Sequence, residues 1–265
     1  MSGDDKHESS LALALSGGGF RATLFHLGSL TRLNELGILK KLQCVSSVSG
    51  GSIIGNLLGL RWNELGLDSS GRAMNFHDLI FHPIKKFCSL DIDLIPSLVN
   101  MASMLTGGVS QGLDSNFKKL YGESTLADLP DETNAPKFVT IGSNLQTTSR
   151  IYFSRSLLWD ERLGLIHKPE FSISKIVSIS TAFPPFLSPV VLITDPNSWR
   201  KHESSDLFDK SALRKRMVLT DGGIHDPSAV TPLIDDFSNI LVSDGSSTKE
   251  TVSYTHLTLP TKRIV

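Results

Sequence analysis

Two runs of small residues near the N-terminus have the types and spacing for acyl-transfer chemistry. Residues 11–22 read Leu-Ala-Leu-Ala-Leu-Ser-Gly-Gly-Gly-Phe-Arg-Ala, and residues 44–52 read Cys-Val-Ser-Ser-Val-Ser-Gly-Gly-Ser. A backbone that turns sharply and aims its N–H groups inward needs glycine, which enters positive φ at little steric cost. Gly17, Gly18 and Gly19 therefore have the composition of an oxyanion loop. Ser49 lies in Ser47-Val48-Ser49-Gly50-Gly51, a G-x-S-x-G nucleophile elbow with Ser47 in place of the first glycine. A serine hydroxyl is a poor nucleophile alone. It needs a base within hydrogen-bond reach and donors where the oxyanion forms. The N–H groups of Gly18 and Gly19 are the expected donors. The helix N-terminus after Ser49 also favours developing negative charge. Arg21 is a candidate contact for an anionic substrate group, against the plainer readings of a brace or a solvated surface arginine.

The base is the harder assignment. The histidines after Ser49 are His77, His82, His167, His202, His225 and His256, and none has a catalytic context. Asp221 does: Val218-Leu219-Thr220-Asp221-Gly222-Gly223 puts a carboxylate at the end of an apolar strand, before two glycines. In a dry site such a carboxylate can take the serine proton without a relay. The plainer reading is a turn aspartate.

These residues need elements to carry them. Between Arg21 and Ser49 there is room for one helix of about 14–18 residues and a short return, which makes a βαβ unit with chemistry at both turns. Leu24, Leu27, Leu30, Leu33 and Leu36 predict an apolar helical face closed by Gly37, and Gly50–Leu60 predicts a second helix running out of Ser49. A polar loop is expected from Trp62 to Asn75. Residues 76–105 form an irregular apolar segment carrying Lys85 and Lys86, read as core cover or, alternatively, as a face toward lipid. Further strands are expected at 138–141, 151–153, 190–193, 217–220 and 239–242. A helix is expected over 173–182, ending before Pro184-Pro185, and a charged surface loop over 194–216. The continuous apolar strands predict a three-layer α/β/α fold with a mainly parallel central sheet.

The whole chain sets further bounds. Its 265 residues, 40% hydrophobic, fit one large domain. Cys44 and Cys88 cannot form a disulfide framework, and no Cys/His cluster has metal-ligand spacing, so a reducing compartment and a metal-free site are expected. The N-terminus lacks a secretory signal and no stretch approaches 18 apolar residues, which predicts a cytoplasmic protein with any membrane contact peripheral. Residues 252–265 resemble the translation of a sequencing adapter. On that reading the chain divides into a polar tail (1–10), a domain over 11–250 cut short at its C-terminus, and a non-native tail (251–265). Without Lys262 and Arg263 the net charge moves from −1 to −3; neither value suggests a nucleic-acid partner.

Ser16-Gly17-Gly18-Gly19-Phe20-Arg21-Ala22, Ser49 on its elbow and Asp221-Gly222-Gly223 together resemble the patatin-like phospholipase family, whose relatives include the cytosolic phospholipase A2 type. Ser124–Pro130 and Ser180-Thr181-Ala182-Phe183-Pro184-Pro185 resemble its bacterial members. The resemblance implies a Ser49–Asp221 dyad that cleaves lipid acyl esters through an acyl-enzyme, an oxyanion hole from the glycine loop, and no cofactor in the chemistry. Ser47 departs from the family's usual glycine.

Three rival readings are weaker. Gly17-x-Gly19-x-x-Ala22 fits a dinucleotide fingerprint, but no Asp or Glu occurs between residues 36 and 63 to hold a ribose. No Gly-Lys-Ser/Thr follows for a P-loop. A catalytically silent lipid-binding or interaction protein on the same fold is the other alternative; it would keep the glycines yet lose the dyad.

Overall fold

The computed structural model describes residues 10–92, 116–185 and 187–246. The later part of the 76–105 segment, most of the polar N-terminal tail and the C-terminal tail lie outside the described residues. The chain opens with β1 (Leu11–Leu15), α1 (Gly19–Glu35), β2 (Cys44–Val48) and α2 (Gly50–Arg61). β1 and β2 run parallel, with Leu15 opposite Ser47, so both βα turns open at the same end of the sheet. β2 is buried along its whole length, as its unbroken run of small and apolar residues requires of a strand covered on both faces.

Among the described residues the sheet has nine strands. α3 (His82–Ile92) precedes β3 (Lys137–Asn144), β4 (Ser149–Phe153), β5 (Leu157–Asp160) and β6 (Gly164–His167). After them come α4 (Ile173–Thr181), β7 (Val190–Ile193), α5 (Ser211–Lys215), β8 (Arg216–Asp221) and β9 (Asn239–Ser243). The main path is β6-β5-β4-β3-β2-β1-β9, and β8 joins β3 and β7 off that path. The centre, β9-β1-β2-β3, is parallel throughout, and the remaining pairings are antiparallel. The α/β architecture with a mainly parallel centre is therefore as expected. β5 and β6, two four-residue antiparallel strands too short to stand out in the apolar pattern, are additions.

On one face Leu13, Leu15, Ile54, Leu58 and Ile176 join the main core, where α2 packs against both α1 and α4. On the other, Ala12, Ala14, Val48 and Ile141 pack under Leu233 from a single 3-10 turn. α1 differs from its predicted face. Steps of three residues drift around a helix of 3.6 residues per turn, so the leucines cannot all share one side. The buried side is Ala22, Thr23, His26, Leu27 and Leu30, whereas Leu24, Phe25 and Leu36 are exposed. The 194–216 stretch is more ordered than a surface loop. Trp199 is buried with its Nε1–H on Thr194 Oγ1 (2.9 Å), anchoring a segment whose charges concealed it, and α5 and the start of β8 follow.

Candidate active site

β3 brings Ser49 and Asp221 together. One of its edges pairs with β4 over Thr140–Asn144, so the other edge must hold both remaining partners. On that second edge β2 runs parallel to β3 and ends with Val48 opposite Ile141. β8 runs antiparallel and ends with Asp221 opposite Gly142. Two strands thus approach head-on along one edge, and the residue after the first meets the last residue of the second. The junction is tight. A Cβ on Gly222 would sit 2.5 Å from the Ile141 carbonyl oxygen and 2.9 Å from Val48 Cγ2.

Ser49 takes φ 52° and ψ −125° between β2 and α2, a strained conformation for a non-glycine residue. Its N–H can join neither element, and it donates to Ser180 Oγ at 2.9 Å. Its carbonyl receives the Ser52 N–H and Oγ–H at 2.9 and 2.6 Å, which starts α2. Gly50 must be glycine, because a Cβ there would lie 2.1 Å from the Gly19 carbonyl oxygen. The two turns are therefore in backbone contact. Ser47 is buried with its hydroxyl on Val139 O, so the departure from the usual glycine is accommodated in the sheet.

The structure separates the three loop glycines. Gly17 donates its N–H to Pro227 O at 2.8 Å, so that group is already committed; a Cβ on Gly17 would press on Ser49 Cβ at 3.2 Å. Gly18 (φ 132°) and Gly19 (φ 66°) carry the turn, and their N–H groups donate to no other described residue. Successive N–H groups in such a turn form an anion-binding concavity at the N-terminus of α1.

A network that sequence reasoning missed sits beneath the loop. The Ser16 carbonyl receives both Gly51 N–H (3.1 Å) and His26 Nε2 (2.9 Å), tying loop to elbow. A carbonyl only accepts, so Nε2 carries the proton and Nδ1 faces Ser243 Oγ at 2.8 Å. Burial holds the His26 pKa below its ordinary value. Arg21 is exposed and donates Nη2 to Gly245 O at 3.0 Å, which braces the turn packed against Gly18.

Asp221 is buried. Its Oδ1 receives the Gly223 N–H at 2.7 Å. Burial pushes its carboxyl up to about 6, against smaller downward pulls from the Ser49 hydroxyl and the Gly223 N–H. Oδ2 is buried and completes no hydrogen bond of normal geometry. The Ser49 hydroxyl thus lies near enough to lower the carboxyl's pKa, although Oδ2 completes no hydrogen bond of normal geometry with it. Asp221 N–H and Thr220 Oγ1 both reach Ala182 O, at 3.2 and 2.6 Å. His225 is engaged by Ser143 Oγ at 2.8 Å. Among the described residues, no group of three or more His, Cys, Asp or Glu could hold a metal, and no helix is long and apolar enough to cross a membrane.

The family model for patatin-like phospholipase matches residues 13–234, which spans the glycine loop, the elbow and Asp221. The chain belongs to the patatin-like phospholipase family. A search of curated proteins finds no match. Among solved structures, human GIVD cytosolic phospholipase A2 in complex with methyl gamma-linolenyl fluorophosphonate and terbium chloride is similar at TM-score 0.52. That match has 15% identity and covers 88% of this chain and 40% of that one. A second structure, human GIVD cytosolic phospholipase A2, gives TM-score 0.49 and 14% identity, over 88% and 42% of the two chains. VipD from Legionella pneumophila gives 0.39 and 19%, over 83% and 46%. The patatin-like chain thus spans less than half the length of these structures.

Proposed function

We propose that this patatin-like protein is a serine lipid acyl hydrolase working through a Ser49–Asp221 dyad. The observation that carries the reading is the head-on approach of β2 and β8 along one edge of β3, which leaves Ser49 beside a buried carboxylate. Ser49 Oγ attacks the ester carbonyl carbon as its proton passes to Asp221 Oδ2. The tetrahedral oxyanion is met by the N–H groups of Gly18 and Gly19, preorganised donors that cost no rearrangement at the moment of reaction. Collapse expels the alcohol, which takes the proton from Asp221. Water then cleaves the acyl-enzyme by the same route, with Asp221 as base, and regenerates Ser49. Every proton moves between groups of this chain, the substrate and water, so no cofactor is required.

Family membership supports a fatty-acyl ester of a phospholipid or related lipid as substrate. The fluorophosphonate complex of the human phospholipase supports a fatty-acyl fluorophosphonate as a probe. Arg21 keeps guanidinium N–H groups beyond the one on Gly245, and we assign these to an anionic headgroup at the mouth of the loop. Substrate reaches the site from a membrane or micelle surface by peripheral contact.

Fatty-acid release from phosphatidylcholine micelles tests the reading. The base must be ionised, so release is expected to rise with pH through about 6 and then level. Ser49→Ala and Asp221→Asn are expected to lose roughly 10⁴-fold each, without an additive loss in the double variant. Unchanged release by Ser49→Ala would overturn the reading, and so would a folded parent that releases no fatty acid.

A further inference from the structure

We propose that Ser180 is a positioning residue that fixes the backbone of the nucleophile, and that the end of α4 sets the nucleophile and the base in one frame. The proposal rests on the assignment of Ser49 and Asp221 above. Ser180 is fully buried, and its hydroxyl lies between two groups at the junction of the dyad. It accepts the Ser49 N–H at 2.9 Å and donates to the Ile141 carbonyl at 2.7 Å. Ile141 is the residue of β3 opposite which β2 ends. Two positions later, Ala182 O receives the Asp221 N–H and the Thr220 hydroxyl. Two residues at one helix end, Ser180 and Ala182, therefore hold the backbone of both dyad members.

The elbow conformation explains why Ser49 needs this support. At φ 52° its N–H points away from both the β2 ladder and α2, and the residue is buried, so neither secondary structure nor bulk water can satisfy it. A hydroxyl is suited to this place because one oxygen can accept from one backbone and donate to another. Other serines on the same helix show that burial alone does not produce the arrangement. The Ser174 and Ser178 hydroxyls are buried on α4 and bond to no described residue, whereas this one bonds twice. Without Ser180 the elbow is free to relax, and Ser49 Oγ moves relative to the oxyanion donors. The Ser180 hydroxyl bonds to Ser49 N–H and Ile141 O and not to the Asp221 carboxyl, so the base keeps its own partner at Gly223.

The test is the second-order rate constant for labelling by a fatty-acyl fluorophosphonate, read by intact mass on the full chain, together with the final occupancy. Misfolded molecules lower final occupancy and leave the rate constant of the remainder unchanged, whereas a displaced elbow lowers the rate constant and still reaches full occupancy. Ser180→Ala is expected to label roughly ten- to a hundredfold more slowly, in line with the cost of a misplaced reacting group. Ser180→Cys, with a weaker donor and acceptor of similar shape, is expected to fall between it and the parent. Ser178→Ala is expected to match the parent. The midpoint of the labelling pH profile is expected to stay in place in all of them. Parent-like rate constants in both Ser180 variants would overturn the proposal, as would a loss confined to final occupancy. If circular dichroism finds Ser180→Ala unfolded, Ser180→Cys decides, and failure of both to fold assigns Ser180 to stability alone. A parent that takes no label at Ser49 refutes the dyad itself and is distinguished by identical behaviour in every variant.

Discussion

The two halves of the site are assembled in opposite ways. The loop and elbow come from one continuous βαβα unit of about fifty residues, and their contacts are backbone to backbone: Gly50 against Gly19, Gly51 N–H on Ser16 O. Asp221, the proposed base, arrives on an antiparallel strand off the main path of the sheet, held at Gly142 of β3 and at Ala182 past the end of α4. The first half tolerates little because its parts touch at the main chain. The second half concentrates its cost in one buried carboxyl. Shape governs the Ser49 side and electrostatics the Asp221 side.

Substitutions at glycine should break this comparison most visibly. Gly50→Ala would drive a Cβ to 2.1 Å from the Gly19 carbonyl oxygen, and Gly51→Ala to 2.4 Å from that of Leu15. Neither neighbour is a movable side chain, so losses of about 3 kcal/mol or more are expected in denaturant melts. Gly19→Ala meets nothing within 4 Å and suffers only from its φ of 66°, so a loss of about 1–2 kcal/mol is expected. A Gly19→Ala variant as unstable as Gly50→Ala would show that loop strain, rather than contact with the elbow, dominates this half.

The base side should respond to pH. The Asp221 carboxyl is raised to about 6 in the folded protein, above an ordinary value of about 3.9, so folding favours its neutral form. That contribution is complete below pH 4 and is lost as pH rises through 6. Asparagine carries no charge at any pH. Asp221→Asn is therefore expected to be more stable than the parent by on the order of 2 kcal/mol at pH 8, and to match it below pH 4 while remaining inactive. A variant no more stable at pH 8 would contradict the electrostatic account of this half. The smallest effect is expected at Thr23, whose hydroxyl donates to Gly50 O at 2.8 Å and so ties α1 to the elbow. Thr23→Val should cost about 1 kcal/mol in thermal or denaturant unfolding.

The same contrast governs what could be read from the chain. The βαβα unit was legible because local chemistry specifies it: apolar runs, glycines where the main chain must turn or touch, and a serine between a strand and a helix. Asp221 was legible as a carboxylate at a strand end, but its route to Ser49 was not. That route depends on β3 lending one edge to both β2 and β8, a long-range pairing without a local signature. Gly17, Gly18 and Gly19 form one glycine run, and Pro227, more than two hundred residues away, occupies the N–H of Gly17 and leaves those of Gly18 and Gly19, the expected donors. Ser180 was visible only within a run that resembles bacterial members of the family, since nothing in its spacing indicates a hydroxyl shared between Ser49 and Ile141. The helical face of α1 misled because polar Thr23 and His26 point inward to hydrogen-bond partners while Leu24 and Phe25 face out.

The most direct test of the central claim is intact-mass detection of fluorophosphonate labelling on the parent, Ser49→Ala and Asp221→Asn, with circular dichroism on each. The account predicts one adduct on the parent, mapped to Ser49, none on Ser49→Ala, and labelling slowed by orders of magnitude in Asp221→Asn, with all three folded. A folded parent that takes no adduct, or an adduct that persists in Ser49→Ala, would contradict it.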